Sequence, residues 1–141
     1  MDSIDNLIKK FRGKGYKVTP QRIAIFKELE GNHDHPSVEG LYKTLASDYP
    51  TMSLTTVYKT LETLRDMGEV LELNLSRDRV HYDPETRPHH HAICGECGKI
   101  IDVFHDAEEL LQSVSAFRGS FKPCSYSIIF NGNCLKCKKG N

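Results

Sequence analysis

The chemistry of this sequence is concentrated in its cysteines, histidines and a few aspartates. Four cysteines form two Cys-x-x-Cys pairs, Cys94 with Cys97 and Cys134 with Cys137. Each pair sets two thiolates on a tight turn eased by glycine (Gly95, Gly98 and Gly132), and two such turns facing each other complete a tetrahedron of soft ligands. The spacing predicts a structural Zn²⁺. An iron centre with the same four sulfurs and a pair of redox disulfides are the other uses of this ligand set. With four protein ligands the ion has no open position, so no catalysis is expected of it. The fifth cysteine, Cys124, is expected to be a buried apolar thiol on a strand.

A second donor set is made of nitrogen and oxygen. His89 and His91 stand at i and i+2, so on a strand both point to one face while His90 points to the other. Asp102, on the strand expected next, can reach the same face. Asp83 lies just upstream and His35 far upstream. Three imidazoles and two carboxylates suit Mn²⁺, Fe²⁺ or Zn²⁺ without the thiolates that select zinc, and leave a sixth position open. Taken alone, a histidine before Pro36 is usually a surface or capping residue, and nothing in the pattern prefers His35 to His33. An open position on a metal can also activate water for hydrolysis. The sequence has no Glu-bearing zincin motif, nucleophile elbow or phosphate loop, so an enzyme is not expected.

These donors must be positioned by the elements around them. Ser3 reads as the cap of a first helix with Ile4, Leu7, Ile8 and Phe11 on one face, ended by Gly13 and Gly15. Thr19-Pro20 opens a second, carrying Ile23, Phe26 and Leu29 and stopping near Gly31. Ser37 caps a third, with Val38, Leu41 and Leu45 inward. Ser53 caps a fourth whose apolar row is Leu54, Val57, Leu61 and Leu64, leaving Thr55, Thr56, Tyr58, Lys59 and Arg65 off that row, and Gly68 closes it. The period then changes to two through Val70, Leu71, Leu73 and Leu75. A turn at Ser76-Arg77-Asp78 and a return through Val80 and Tyr82 make a β-hairpin with Arg77 and Arg79 at its tip.

Helices followed at once by a hairpin predict a winged helix-turn-helix in which the third and fourth helices are the pair. A hydroxyl-rich helix start (Ser53, Thr55, Thr56) with Tyr58 and Lys59 suits phosphates and base edges. The same shape also serves protein contacts, so a zinc-stabilised interaction module is the rival. The two prolines of segment 84–88 predict a stiff hinge. Beyond it we expect short antiparallel strands over HHHAIC, GKIIDVF and CSYSIIFNGNC. A helix between the last two opens with Asp106 and Glu109 in capping-box spacing, carries Leu110, Leu111, Val114 and Phe117, and ends at Gly119. The expected organisation is α+β: residues 1–83 a winged-helix DNA-binding domain, 84–88 a hinge, and 89–141 a small α/β metal-binding and dimerisation domain. So short a second domain needs a metal, a partner chain, or both.

The net charge is zero, but its distribution is uneven. No acid lies between Asp5 and Glu28, while Lys9, Lys10, Arg12, Lys14, Lys17, Arg22 and Lys27 all do. That run reads as a phosphate-facing surface or as a solvated helix face. No apolar run of about eighteen residues is present, so no membrane span is expected. The N-terminus lacks a signal-peptide core. A cytoplasmic protein with reduced thiols follows as the expectation, and there paired Cys-x-x-Cys motifs favour metal over disulfides.

Taken together, VTPQR, the HPS segment, SLTTVYKTLETLRDMGEV, HYD, HHHAICGECGKIID and CLKC resemble the Fur family of metal-dependent bacterial repressors over nearly the whole chain. The resemblance implies a homodimer that binds double-stranded operator DNA and carries a four-cysteine zinc. The position of Asp102 holds aspartate in the peroxide-sensing (PerR) branch and typically glutamate in iron-responsive members. His35, Asp83, His89, His91 and Asp102 match that branch's regulatory site, filled by Fe²⁺ or Mn²⁺. There, Fe²⁺ and hydrogen peroxide oxidise a ligand histidine, the matching targets being His35 and His89, and DNA is released. The alternative is an iron- or zinc-responsive uptake repressor without peroxide sensing. The resemblance also implies DNA contacts for Lys14, Arg22 and Tyr58. Those of Arg77 and Arg79 rest on charge and turn position alone.

Overall fold

The structure, a computed structural model, describes residues 1–114 and 119–138. These form two compact units, Met1–Thr86 and Arg87–Asn141, which divide within the proline-bounded segment.

Four helices and a hairpin build the first unit: α1 (Ile4–Gly13), α2 (Pro20–Leu29), α3 (Val38–Leu45), α4 (Leu54–Asp66), β1 (Leu71–Leu73) and β2 (His81–Asp83). Three of the helices start where a side chain takes up an otherwise unbonded backbone N–H. The hydroxyl oxygens of Thr19, Ser37 and Ser53 accept from the N–H groups of Arg22, Gly40 and Thr56 at 3.3, 3.1 and 3.1 Å. Ser3 occupies the cap position of α1 but makes no such bond. Instead α1 is tied by Lys10, which pairs with Asp2 at 2.9 Å and with the buried carboxylate of Glu69. Gly68, at φ +73°, supplies the left-handed residue that ends α4 and turns the chain into β1.

The helices bury one continuous core, including Leu7, Phe11, Phe26, Leu41, Leu61 and Leu64. Each such side chain contributes roughly 1.5–3 kcal/mol over its exposed state. Leu54 is the exception to the expected row on α4: it is 45% exposed. It is the first helical residue, and the inward row starts one turn later at Val57, with Thr60 filling the remaining buried position. The hydroxyl of Thr60 bonds back to the Thr56 carbonyl at 2.7 Å, so its burial strands no polar group.

The second unit is a three-stranded sheet with β3 (His90–Cys94) in the middle, β4 (Ile100–Val103) on one side and β5 (Ile129–Gly132) on the other. Strands β3 and β4 are antiparallel, pairing His91 with Asp102. Strand β5 runs parallel to β3, not antiparallel as expected throughout. The chain between β4 and β5 is long enough to make the crossover that parallel pairing needs.

Helix α5 (Glu108–Ser113) starts later than the capping-box spacing implies. Asp106 accepts from the N–H of Glu108, two residues on, which uses the carboxylate in a turn before the helix begins. Phe117, assigned to that helix from sequence, lies outside the described residues. Cys124 is exposed and precedes the strand, contrary to expectation, because the sheet pairing begins only at His91 with Ile129. Among the described residues no helix is long and apolar enough to cross a membrane.

Candidate functional site

The cysteine pairs converge. The four sulfurs of Cys94, Cys97, Cys134 and Cys137 lie within 4.8 Å of one another, with Cys97 and Cys134 at 3.7 Å. Zinc–thiolate bonds of about 2.3 Å in a tetrahedron put sulfurs about 3.8 Å apart, close to the spacing of this group. The pairing of Cys94 with Gly132 across β3 and β5 carries the second knuckle to the first. Backbone N–H groups are aimed at the sulfurs, and the Cys134 N–H reaches Cys94 Sγ at 3.3 Å. These bonds, from Cys134 and then Cys97, draw the Cys94 thiol down to about 6, within reach of a thiolate at neutral pH. Cys134 is lowered likewise, first by the Cys137 N–H. Cys137 is pushed up to about 12 by hydrogen bonds to the sulfurs of Cys134 and Cys97, which favour its protonated form.

The nitrogen and oxygen donors form a group in each unit. In the first, the Asp83 Oδ1 accepts from the N–H of Glu85 at 2.8 Å, and Oδ2 lies 3.6 Å from His35 Nε2, both side chains fully buried. His35 sits between α2 and α3 with φ +50°, in the left-handed region that non-glycine residues enter at a cost of roughly 1–3 kcal/mol. His33, which the pattern alone does not separate from it, is exposed. In the second unit, Asp102 Oδ1 lies 3.2 Å from His89 Nε2 and 3.7 Å from His91 Nε2. The two rings meet edge to face at 4.5 Å. His91 is on β3 and His89 directly precedes that strand, two residues away on the same side, while His90 turns away to accept from the Ile128 N–H and to lie beside Tyr126.

The separations in both groups are those of donors sharing a cation at about 2.1 Å. The Nδ1–H of His89 donates to the Arg87 carbonyl at 2.7 Å, because a carbonyl only accepts. That leaves Nε2 with its lone pair toward Asp102, the tautomer a metal ligand needs. His81, a residue not expected at the site, donates in the same way to the His35 carbonyl at 2.7 Å. No spacing signal in the sequence marks it, since the contact depends on how the 35–37 segment meets β2.

The residues expected at nucleic acid are on the first unit. Ser53, Thr55, Tyr58 and Lys59 are exposed on the first turns of α4, Tyr58 at 49%, and Thr56 is half-buried. Lys14, Arg77 and Arg79 are also exposed. Ser53 and Thr56 bond each other at 3.0 Å in addition to the cap. Arg22 is half-buried: it donates to the Lys17 carbonyl at 2.6 Å and its guanidinium lies over the Phe11 ring. The structure thus gives Arg22 a part in holding the turn before α2, and Lys10 one in tying α1 to Glu69.

Residues 13–130 match the sequence profile of the Ferric uptake regulator family. The peroxide-responsive repressor PerR of Staphylococcus saprophyticus is 38% identical over 135 residues, covering 96% of this chain and 91% of its own. Among solved structures, that of the Campylobacter jejuni peroxide stress regulator aligns over 97% of this chain and 100% of its own, with 31% identity and a TM-score of 0.66. The Helicobacter pylori ferric uptake regulator, for which three functional metal-binding sites are described, shares the fold at a TM-score of 0.82 and 23% identity, over 99% of this chain and 96% of its own.

Proposed function

The chain belongs to the ferric uptake regulator family, and from that premise we propose that it is a metal-dependent, DNA-binding transcriptional repressor that senses peroxide. The first unit is the reader: the exposed start of α4 (Ser53, Thr55, Thr56, Tyr58, Lys59) enters the groove, and Lys14, Arg22, Arg77 and Arg79 contact the backbone. The second unit pairs two copies. Its exposed Ile101, Phe104, Leu110, Ile129 and Phe130 supply apolar surface that a lone copy leaves in water. Zn²⁺ on the four cysteines is structural. The protein works in the cytoplasm, where its thiols stay reduced.

The regulatory ion, Fe²⁺ or Mn²⁺, takes His35, Asp83, His89, His91 and Asp102. One observation carries this reading. Each unit offers a correctly spaced set of nitrogen and oxygen donors, and each set is too small to fill a first-row metal's shell by itself. An ion that completes its shell from both sets fixes one orientation across segment 84–88. A dimer must hold its two reading helices about 34 Å apart, or a multiple of that, to reach both half-sites. The ion therefore favours the DNA-competent arrangement, and DNA tightens metal binding by the same factor. Fe²⁺ held by these five residues would supply the redox chemistry by which hydrogen peroxide gives one oxygen to a ligand imidazole and leaves as water, a two-electron oxidation of the ring. His35 or His89, once carrying the added oxygen, is a poorer ligand, and losing about 2–3 kcal/mol of bias costs about a hundredfold in DNA affinity.

Replacing His35 by Ala should weaken Mn²⁺ binding and operator binding at limiting Mn²⁺ while zinc content and dimer mass stay unchanged. Parental operator binding by His35→Ala at limiting metal would sink the reading. A second reading, an iron- or zinc-responsive repressor without peroxide chemistry, is favoured by the same donor set, which carries no oxidant specificity of its own. Operator binding by the iron-loaded protein that survives peroxide would select it.

A further inference from the structure

We infer that His81 is a positioning residue for the regulatory metal: its Nδ1–H holds the His35 carbonyl and so locks the left-handed turn that presents the His35 imidazole to Asp83. This rests on the reading that His35 and Asp83 are ligands. A histidine at φ +50° directly before a proline is in a conformation that its own preferences oppose. Such a residue persists only where its surroundings over-determine it.

Besides the His35–Asp83 pair, the segment meets β2 in the following ways. The Tyr82 N–H donates to the Pro36 carbonyl at 2.9 Å, Ser37 and His81 form an isolated antiparallel bridge, and His81 Nδ1 meets the His35 carbonyl at 2.7 Å. The first two are backbone contacts that other residue types would preserve. Of the three, only the third uses a side chain, and only it grips the His35 carbonyl. His81 and Asp83 are two apart on one strand, so their side chains leave β2 on the same side. One strand face thus delivers both the carboxylate and the donor that sets the imidazole opposite it. The carbonyl accepts only, so the proton sits on Nδ1. Asparagine places its amide nitrogen near that atom, whereas phenylalanine keeps the ring and loses the donor.

The test is direct Mn²⁺ titration of the full-length, zinc-loaded protein, with His35→Ala as the reference. His81→Phe should lose about tenfold to a hundredfold in Mn²⁺ affinity, the range typical of partners that orient a ligand, with zinc content unchanged. His81→Asn should recover most of that loss. Where His81→Phe does not fold, His81→Leu makes the same comparison. Parental affinity in His81→Phe beside a loss in His35→Ala overturns the role of His81 and leaves the function standing. A loss in His81→Phe that His81→Asn does not recover also overturns it, because the donor is then not what matters. Parental affinity in His35→Ala overturns the function itself.

Discussion

Cys94 and Cys137 stand at opposite ends of the thiol range although both face one candidate zinc. Backbone N–H groups of Cys134 and Cys97 hold Cys94 at about 6, and the neighbouring sulfurs of Cys134 and Cys97 hold Cys137 at about 12. Zinc takes thiolates only, so Cys137 gives up a proton on binding at any physiological pH. Above about 6 Cys94 is already ionised in the metal-free site and releases none; below it, Cys94 must release one too. Zinc affinity should therefore fall with pH and fall more steeply by one proton below about 6. Competition against a chromophoric chelator across that range measures it, and an unchanged slope would contradict the assignment. The sulfur set is legible in sequence because Cys-x-x-Cys geometry is local. His35 is not separable from His33 that way: its selection depends on a left-handed turn, and its partner Asp83 is remote in the chain.

The helices of the first unit follow from caps and apolar period, and α4 shows both at work. Ser53→Ala removes the acceptor for the Thr56 N–H and the bond to its hydroxyl. It should lower stability by about 1 kcal/mol in chemical denaturation. Because the same turn is the proposed groove-reading end, operator affinity should fall beyond what the loss of folded protein accounts for; unchanged affinity per folded molecule would detach Ser53 from the interface. Period alone puts Leu54 in the core, yet it lies outward, since a helix's first residue precedes the turn that packs. The second unit is less legible. Parallel pairing of β5 and the late start of α5 turn on a crossover and on an Asp106 turn, neither of which leaves a periodic trace.

At the scale of the molecule, the buried apolar side chains are unequally shared. Among those described, only Cys94 and Ile100 lie in the second unit. A sheet with so little interior needs other sources of stability, and zinc and a second copy are the ones its surface and sulfurs provide. Stripping zinc with a strong chelator should unfold or monomerise the second unit while the helical signal of the first persists; a metal-free protein that remains a folded dimer would contradict this. The organisation into a helical unit and a sheet unit follows from the change of period after Gly68 and the prolines of segment 84–88.

The most direct measurement is peptide mass spectrometry of the iron-loaded protein before and after hydrogen peroxide, run beside operator binding on the same sample. The account predicts one added oxygen on His35 or His89, appearing in step with release of DNA and absent when Mn²⁺ fills the site. Release of DNA with both histidines unmodified, or modification with operator binding intact, would contradict it.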